Sequence, residues 1–202
     1  DIIHYHYYIK ALAKMKYVSL ALDTVKKMES LNLKPDGFIY STLISMCGEM
    51  KQIDIGKQLH KTVKEKGLSN IYINTSLIHM YCGFGMLDEA SEIFYNLEKK
   101  DLAAWNAIIH GYGTNNQPQR SLELFQEMQE LKVAPDNQTF VCLLDACSVG
   151  GLLVEGFQMF RSMEREYHII PDIRHYGCMI KLLLHENEYH LCLQLFKEMK
   201  SK

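Results

Sequence analysis

Between residues 102 and 136 two apolar stripes alternate with polar positions, one on either side of a polar break. The first stripe runs through Trp105, Ile108, Ile109 and Tyr112, the second through Leu122, Leu124, Phe125 and Met128. Steps of three and four residues put each stripe on one face of an α-helix. The segment therefore predicts two amphipathic helices, joined by a turn at Thr114–Pro118 and stopped at Pro135-Asp136. A lone helical hairpin cannot bury both stripes, so it needs neighbours of its own kind.

Those neighbours are present as copies. Shifted by 100 residues, the first half of the chain superimposes on the second: Ile9 falls on Ile109, Leu22 on Leu122, Met28 on Met128, Pro35-Asp36 on Pro135-Asp136 and Cys47 on Cys147. A two-residue insertion near Glu166–Ile170 moves the offset to 102, after which Ile78 meets Ile180 and Phe94 meets Phe196. Each block divides into three hairpins, predicted at 2–36, 37–70, 71–101, 102–136, 137–172 and 173–202, with lengths of 35, 34, 31, 35, 36 and at least 30 residues. The first helix of a unit (helix A) has an aromatic or polar fourth residue and apolar seventh and eighth residues. The second (helix B) sets a small residue against it: Ala21, Gly56, Ala90, Ser121, Gly156 and Cys192 in turn. Pro35, Pro135 and Pro171 stop helices at unit boundaries, because proline lacks the amide hydrogen and clashes with the preceding turn. Asp1 reads as the last residue of a preceding unit and the final unit is short, so a piece of a longer array is expected. The expected fold is all-α, an α-α superhelix of about six helix-turn-helix repeats.

Composition narrows the chemistry. Of 202 residues 48% are hydrophobic, enough for a continuous core. The formal charge is −2, so binding to a polyanion has to come from local charge. No uncharged apolar window approaches the length of a membrane-spanning helix, and no signal or transit segment is visible. The six cysteines include no CxxC pair, and Cys47 and Cys147 lie in matching apolar faces. They read as buried, reduced thiols of an intracellular protein rather than a disulfide set or zinc site. His185-Glu186 with His190 has its histidines five apart, where a metalloprotease helix needs four, so no metal is expected. Met28, Met80, Met128, Met163, Met179 and Met199 fall on helix faces as core filler. No phosphate loop, nucleophile elbow or deaminase signature is present, so neither catalysis nor a cofactor is predicted.

Several phrases resemble one family. WNAIIHGYG at 105–113, TSLIHMYCGFGMLDEA at 75–90, TFVCLLDACSVGGLLVEG at 139–156 and HYGCMIKLL at 175–183 are similar to repeat motifs of pentatricopeptide-repeat proteins, and the likeness covers essentially the whole chain. The unit lengths resemble the subclass in which P, L and S motifs alternate, giving P–L–S twice, the second triplet resembling the variant that ends such arrays. Tetratricopeptide repeats, which bind peptides, fit less well: their small residue on helix A is Ile109 here, with Ile9, Ile44 and Ile78 elsewhere.

The resemblance implies single-stranded RNA read one base per repeat by the fifth and last residues of each unit, with the second residue stacking between bases. The pairs are His6 with Asp36, Ser41 with Asn70, Thr75 with Asp101, Asn106 with Asp136 and Val141 with Asp172, while Gly177 has no last residue in view. By the family's pattern Asn106 with Asp136 reads uracil and Thr75 with Asp101 guanine. Ser41 with Asn70 suggests adenine only outside an L unit, and the others specify no base. The stacking positions are Ile3, Phe38, Tyr72, Ala103, Gln138 and Arg174, and ninth-position residues Lys10, His79, His110 and Lys181, with Lys14, form a broken basic ladder for phosphates. Each boundary aspartate also fits a helix cap, and the ladder also fits an ordinary solvated face. The implied setting is an organellar transcript-processing factor, most often one selecting a cytidine for C-to-U editing, in the mitochondrion or alternatively the chloroplast. A deaminase, if used, would lie outside this chain. The alternative is a scaffold whose L units bind editing helper proteins.

Overall fold

The computed structural model describes residues 2–201, so Asp1 and Lys202, at which a preceding unit and the last unit were expected to end, lie outside the described residues. It contains twelve helices among those residues, paired as α1 (Ile2–Lys14) with α2 (Val18–Ser30), α3 (Gly37–Glu49) with α4 (Ile53–Glu65), α5 (Ile71–Gly83) with α6 (Leu87–Tyr95), α7 (Leu102–Thr114) with α8 (Pro118–Glu130), α9 (Asn137–Gly150) with α10 (Leu153–Arg165), and α11 (Ile173–His185) with α12 (Tyr189–Ser201). Pro118, expected within a polar break, is instead the first residue of α8, where its missing N–H costs nothing. The shortest unit is short in helix B: α6 has nine residues where its counterparts have thirteen.

Every first helix closes in the same way. Six 6→1 hydrogen bonds, from Tyr17, Gln52, Met86, Gln117, Leu152 and Glu188 N–H to the carbonyls of Leu12, Cys47, Tyr81, Tyr112, Cys147 and Leu183, end the odd-numbered helices at 2.8–3.0 Å. The residue before each donor is left-handed: Lys16, Lys51, Gly85, Asn116, Gly151 and Asn187. Such a turn reverses the chain tightly enough for the second helix to fold back on the first.

The chain divides into two compact units, Asp1–Ala104 and Trp105–Lys202. In the first, α3 lies between α1 and α5, with α2, α4 and α6 packed behind them. Ile9, Leu43, Ile44, Leu77, Ile78 and Phe94 are buried there, and Ala21 and Ala90 let the paired helices approach. In the second, α9 packs on α11, with α8, α10 and α12 alongside. Its core holds Trp105, Ile109, Phe140, Leu143, Met179 and Leu182. Five of the six periodic methionines are buried, as are four of the six cysteines; Cys178 and Cys192 are half-buried. Phe94 and Phe196, equivalent by sequence, differ: Phe94 is wholly buried and Phe196 is 41% exposed.

Close approach constrains two glycines in opposite ways. A Cβ on Gly113 would lie 2.6 Å from Ala146 Cβ and 3.1 Å from Ala146 Cα, whereas one on Gly177 would meet nothing within 4 Å. Gly113→Ala is therefore expected to destabilise by about 1–3 kcal/mol through overpacking, outweighing its gain in helix propensity. Gly177→Ala is expected to stabilise by up to ~1 kcal/mol, as helix propensity acts there unopposed. Chemical denaturation followed by circular dichroism should show the two midpoints moving in opposite directions.

Candidate nucleic-acid interface

Residues two, five and nine of a helix share a face, because three- and four-residue steps stay on one side. On the six odd-numbered helices the second residues, Ile3, Phe38, Tyr72, Ala103, Gln138 and Arg174, are all exposed. Between α1 and α3 this face opens into a groove of about 360 Å³. It is lined by Phe38, Ser41 and Ser45 from one helix and Lys10 and Lys14 from the other, with Glu49 at its edge. Phe38 lies against the His6 ring, centroids 4.9 Å apart, so a second-position aromatic borders the fifth residue of the previous unit.

The last residue of each unit is fixed by the next helix. Asp36, Asn70, Asp101 and Asp136 each use Oδ1 to accept the N–H three residues on, at 3.2, 2.9, 2.8 and 2.8 Å. Asp172 accepts from Arg174 N–H at 2.9 Å. What remains differs from unit to unit. Asp36 Oδ2 lies 3.0 Å from His6 Nε2, a pairing distance at which the ring is not aligned for a hydrogen bond. The Asn70 amide nitrogen occupies the space that a side chain at Gly37 would fill, while Ser41 donates to Phe38 O at 2.9 Å. Neither reaches the other. Asp101 and Thr75 are likewise not hydrogen-bonded, and the Thr75 hydroxyl is shielded from solvent without a partner.

Asn106 and Asp136 are joined. Asn106 Nδ2 donates to Asp136 Oδ1 at 3.1 Å, and Thr139 Oγ1 donates to Asn106 Oδ1 at 2.7 Å. Burial would raise the Asp136 pKa, but hydrogen bonds from the Thr139 N–H and hydroxyl, the Asn106 amide and the Gln138 N–H outweigh it and hold it below its ordinary value. Asp172 is occupied instead by Arg174, which places Nε and a terminal nitrogen on Oδ2 at 3.1 and 2.7 Å. That pairing lowers the Asp172 pKa to about 2. Arg174 also donates to Gln138 at 3.2 Å, so two second-position residues are tied together. Val141 offers no polar side-chain group, and Gly177 opens onto empty space.

The ladder is uneven. Lys10, Lys14, His79 and His110 are exposed, and no ion pair to Lys10 or Lys14 forms among the described residues. Lys181 pairs with Asp145 at 3.0 Å, which relieves the repulsion Asp145 would present to a phosphate and occupies the Lys181 charge. Sequence periodicity missed Thr139 and His175, the third residues of α9 and α11. His175 is buried, its Nδ1 3.0 Å from Asp172 N and its Nε2 2.9 Å from Asn137 O. The available signal was a polar residue where α3, α5 and α7 carry Ile39, Ile73 and Ala104.

Comparison with known proteins adds family models to this geometry. A PPR repeat model matches residues 38–68, 75–102, 138–168 and 174–202, a pentatricopeptide repeat domain model 1–50, and a PPR repeat family model 100–149. Among similar curated proteins of Arabidopsis thaliana, one pentatricopeptide repeat-containing protein is 35% identical over 160 residues, covering 79% of this chain and 27% of its own length. Another, named chloroplastic, is 35% identical and covers 89% and 22%; a third, named mitochondrial, is 34% identical and covers 90% and 40%. The chain thus spans well under half the length of these relatives. The fold matches the pentatricopeptide repeat protein PPR10 in complex with an 18-nt psaJ RNA element, with a TM-score of 0.83 at 18% identity over 100% of this chain and 30% of that one. It also matches the PPR domain of the Arabidopsis thaliana protein-only RNase P 1 in complex with tRNA, with a TM-score of 0.65 at 12% identity over 86% and 94%. The fold class is that of these helical-repeat solenoids.

The boundary carboxylates yield a pH prediction. Both depressed pKa values contribute stability that is present above the unfolded value, near 3.8, and lost as pH falls; for Asp172 the loss runs down through about 2. Solvent screening keeps the Asp172 contribution small, since its side chain is 38% exposed. Carboxyl-carbon NMR titration should place the Asp172 midpoint near 2, and Arg174→Ala should move it upward by far more than it moves Asp136.

Proposed function

This chain belongs to the pentatricopeptide-repeat family, and on that premise we propose that it is a sequence-reading module for single-stranded RNA in an organellar transcript-processing factor. The groove between α1 and α3 carries the reading: stacking, base-facing and phosphate-facing positions of adjacent hairpins open into one channel with two lysines that form no ion pair among the described residues. The RNA complex formed by PPR10 supports it by fold.

In finer terms, the units are those of the predicted P–L–S order, doubled, and the fifth and last residues of each unit face one base. Asn106 with Asp136 takes uracil and Thr75 with Asp101 takes guanine. With the chain's N-terminus toward the RNA 5′ end, the legible part of the target is G followed by U. The task proposed is choosing a transcript site for C-to-U editing, in a mitochondrion or chloroplast, as the named locations of relatives suggest. A helper-protein scaffold is less favoured. Among described residues the outer helices α4 and α10 of the two L-like units expose a single large apolar side chain, Val154, too little for an apolar docking patch.

Selection from randomised RNA at fixed salt should enrich G followed by U, and Asn106→Ala should erase the preference for U by at least about fivefold, the effect of one hydrogen bond. Absence of any GU enrichment sinks the base assignment. Lys10→Ala and Lys14→Ala should weaken all RNAs alike and each lower the salt slope by ~0.7, as for one phosphate contact on a single strand. Lys181→Ala should weaken binding by leaving Asp145 unpaired on the same face, whereas replacing Lys181 and Asp145 together should change little.

A further inference from the structure

An asparagine amide carries a donor and an acceptor side by side, and turning it over exchanges them. One orientation matches uracil, which offers N3–H as donor and O4 as acceptor. The other matches cytosine, which offers N3 as acceptor and its exocyclic amine as donor. An asparagine at the base-facing position therefore separates the two pyrimidines only if something fixes its orientation.

That something is visible beside Asn106. Asn106 is 9% exposed and its amide is held from both ends: Nδ2 on Asp136 Oδ1 at 3.1 Å, Oδ1 under the Thr139 hydroxyl at 2.7 Å. The amide orientation follows from this network, because turning it over would set the Asn106 carbonyl against a carboxylate oxygen. Thr139 is itself immobilised. It is wholly buried, its oxygen accepts the Asp136 N–H at 3.1 Å, and its own N–H caps onto Asp136 Oδ1 at 2.8 Å. Its single hydroxyl proton has two acceptors in reach, Asn106 Oδ1 at 2.7 Å and Asp136 Oδ1 at 2.9 Å. The second already receives two N–H groups, so the shared proton makes its shorter bond to Asn106. One amide hydrogen and one carbonyl lone pair of fixed polarity are left for a base. The matching residues Ile39, Ile73 and Ala104 on α3, α5 and α7 have no hydroxyl to do this.

We propose that Thr139 is a positioning residue for base discrimination: its hydroxyl locks the Asn106 amide in one orientation and so favours uracil over cytosine at the nucleotide facing α7. This rests on the reading of Asn106 as a base-contacting residue. The test is equilibrium binding of the whole chain to RNAs that carry G followed by U, C, A or G, with the wild type and Asn106→Ala, Thr139→Val and Thr139→Ser. Thr139→Val is expected to lower the U-over-C ratio about fivefold, the effect of one lost hydrogen bond, while the preference for the preceding G and the helical circular dichroism persist. Thr139→Ser, which keeps the hydroxyl, should restore the ratio. If Asn106→Ala abolishes the ratio but Thr139→Val leaves it intact, the positioning role is refuted and the base reading stands. A ratio untouched by Asn106→Ala refutes the base reading beneath it. Joint loss of the G and U preferences in Thr139→Val, or no recovery with serine, reduces Thr139 to a structural residue and overturns the proposal.

Discussion

Five odd-numbered helices begin with the same bond, a side-chain oxygen of Asp or Asn accepting a first-turn amide N–H. Helix starts leave such groups without partners, and a cap removes the cost. Here the cap also decides the candidate site, because the capping residue is the last of one hairpin and stands at the mouth of the next helix. One oxygen is committed to the backbone. Whatever the other oxygen can do is set by its local neighbours: a histidine at Asp36, no side-chain partner at Asp101, an arginine at Asp172. Helix capping thus takes one oxygen of each boundary aspartate and leaves the other to its neighbours, while at Asp136 the cap and the Asn106 bond share Oδ1.

The same economy shows at the far ends of these helices. A left-handed residue and a 6→1 bond close each one. Glycine takes that conformation freely and asparagine tolerates it, yet lysine occupies it twice, at Lys16 and Lys51. The hydrogen bond and the packing of the returning helix hold a residue that would not choose the conformation alone. Turn geometry is thus repeated more strictly than turn composition.

The two halves also brace equivalent places with different chemistry. In the first, Lys66 spans from Glu29 to the Tyr40 hydroxyl and ring, and the Glu29 bond raises its pKa. In the second, Glu29 and Tyr40 are replaced by Gln129 and Phe140. Gln129 there donates to Tyr167, whose ring lies 5.2 Å from Phe140. A copied apolar frame accepts either a charged brace or a neutral aromatic one, since the helices' buried stripes already fix their relative placement.

Sequence by itself determined that this chain is all-α and built of hairpins, because helix formation is written in steps of three and four that any window reveals: Ile108, Ile109 and Leu143 declare their faces locally. It also singled out Asn106, Asp136 and Lys181 as positions of interest. Tertiary structure alone decided what those groups can still do. That Thr139 holds Asn106, that Arg174 fills Asp172, and that Lys181 neutralises Asp145 depend on side chains two residues away in one case and more than thirty in the others. A periodic pattern fixes which face a residue occupies. It carries no information about which lone pair or proton a neighbour has already taken, and recognition is made of the ones left over.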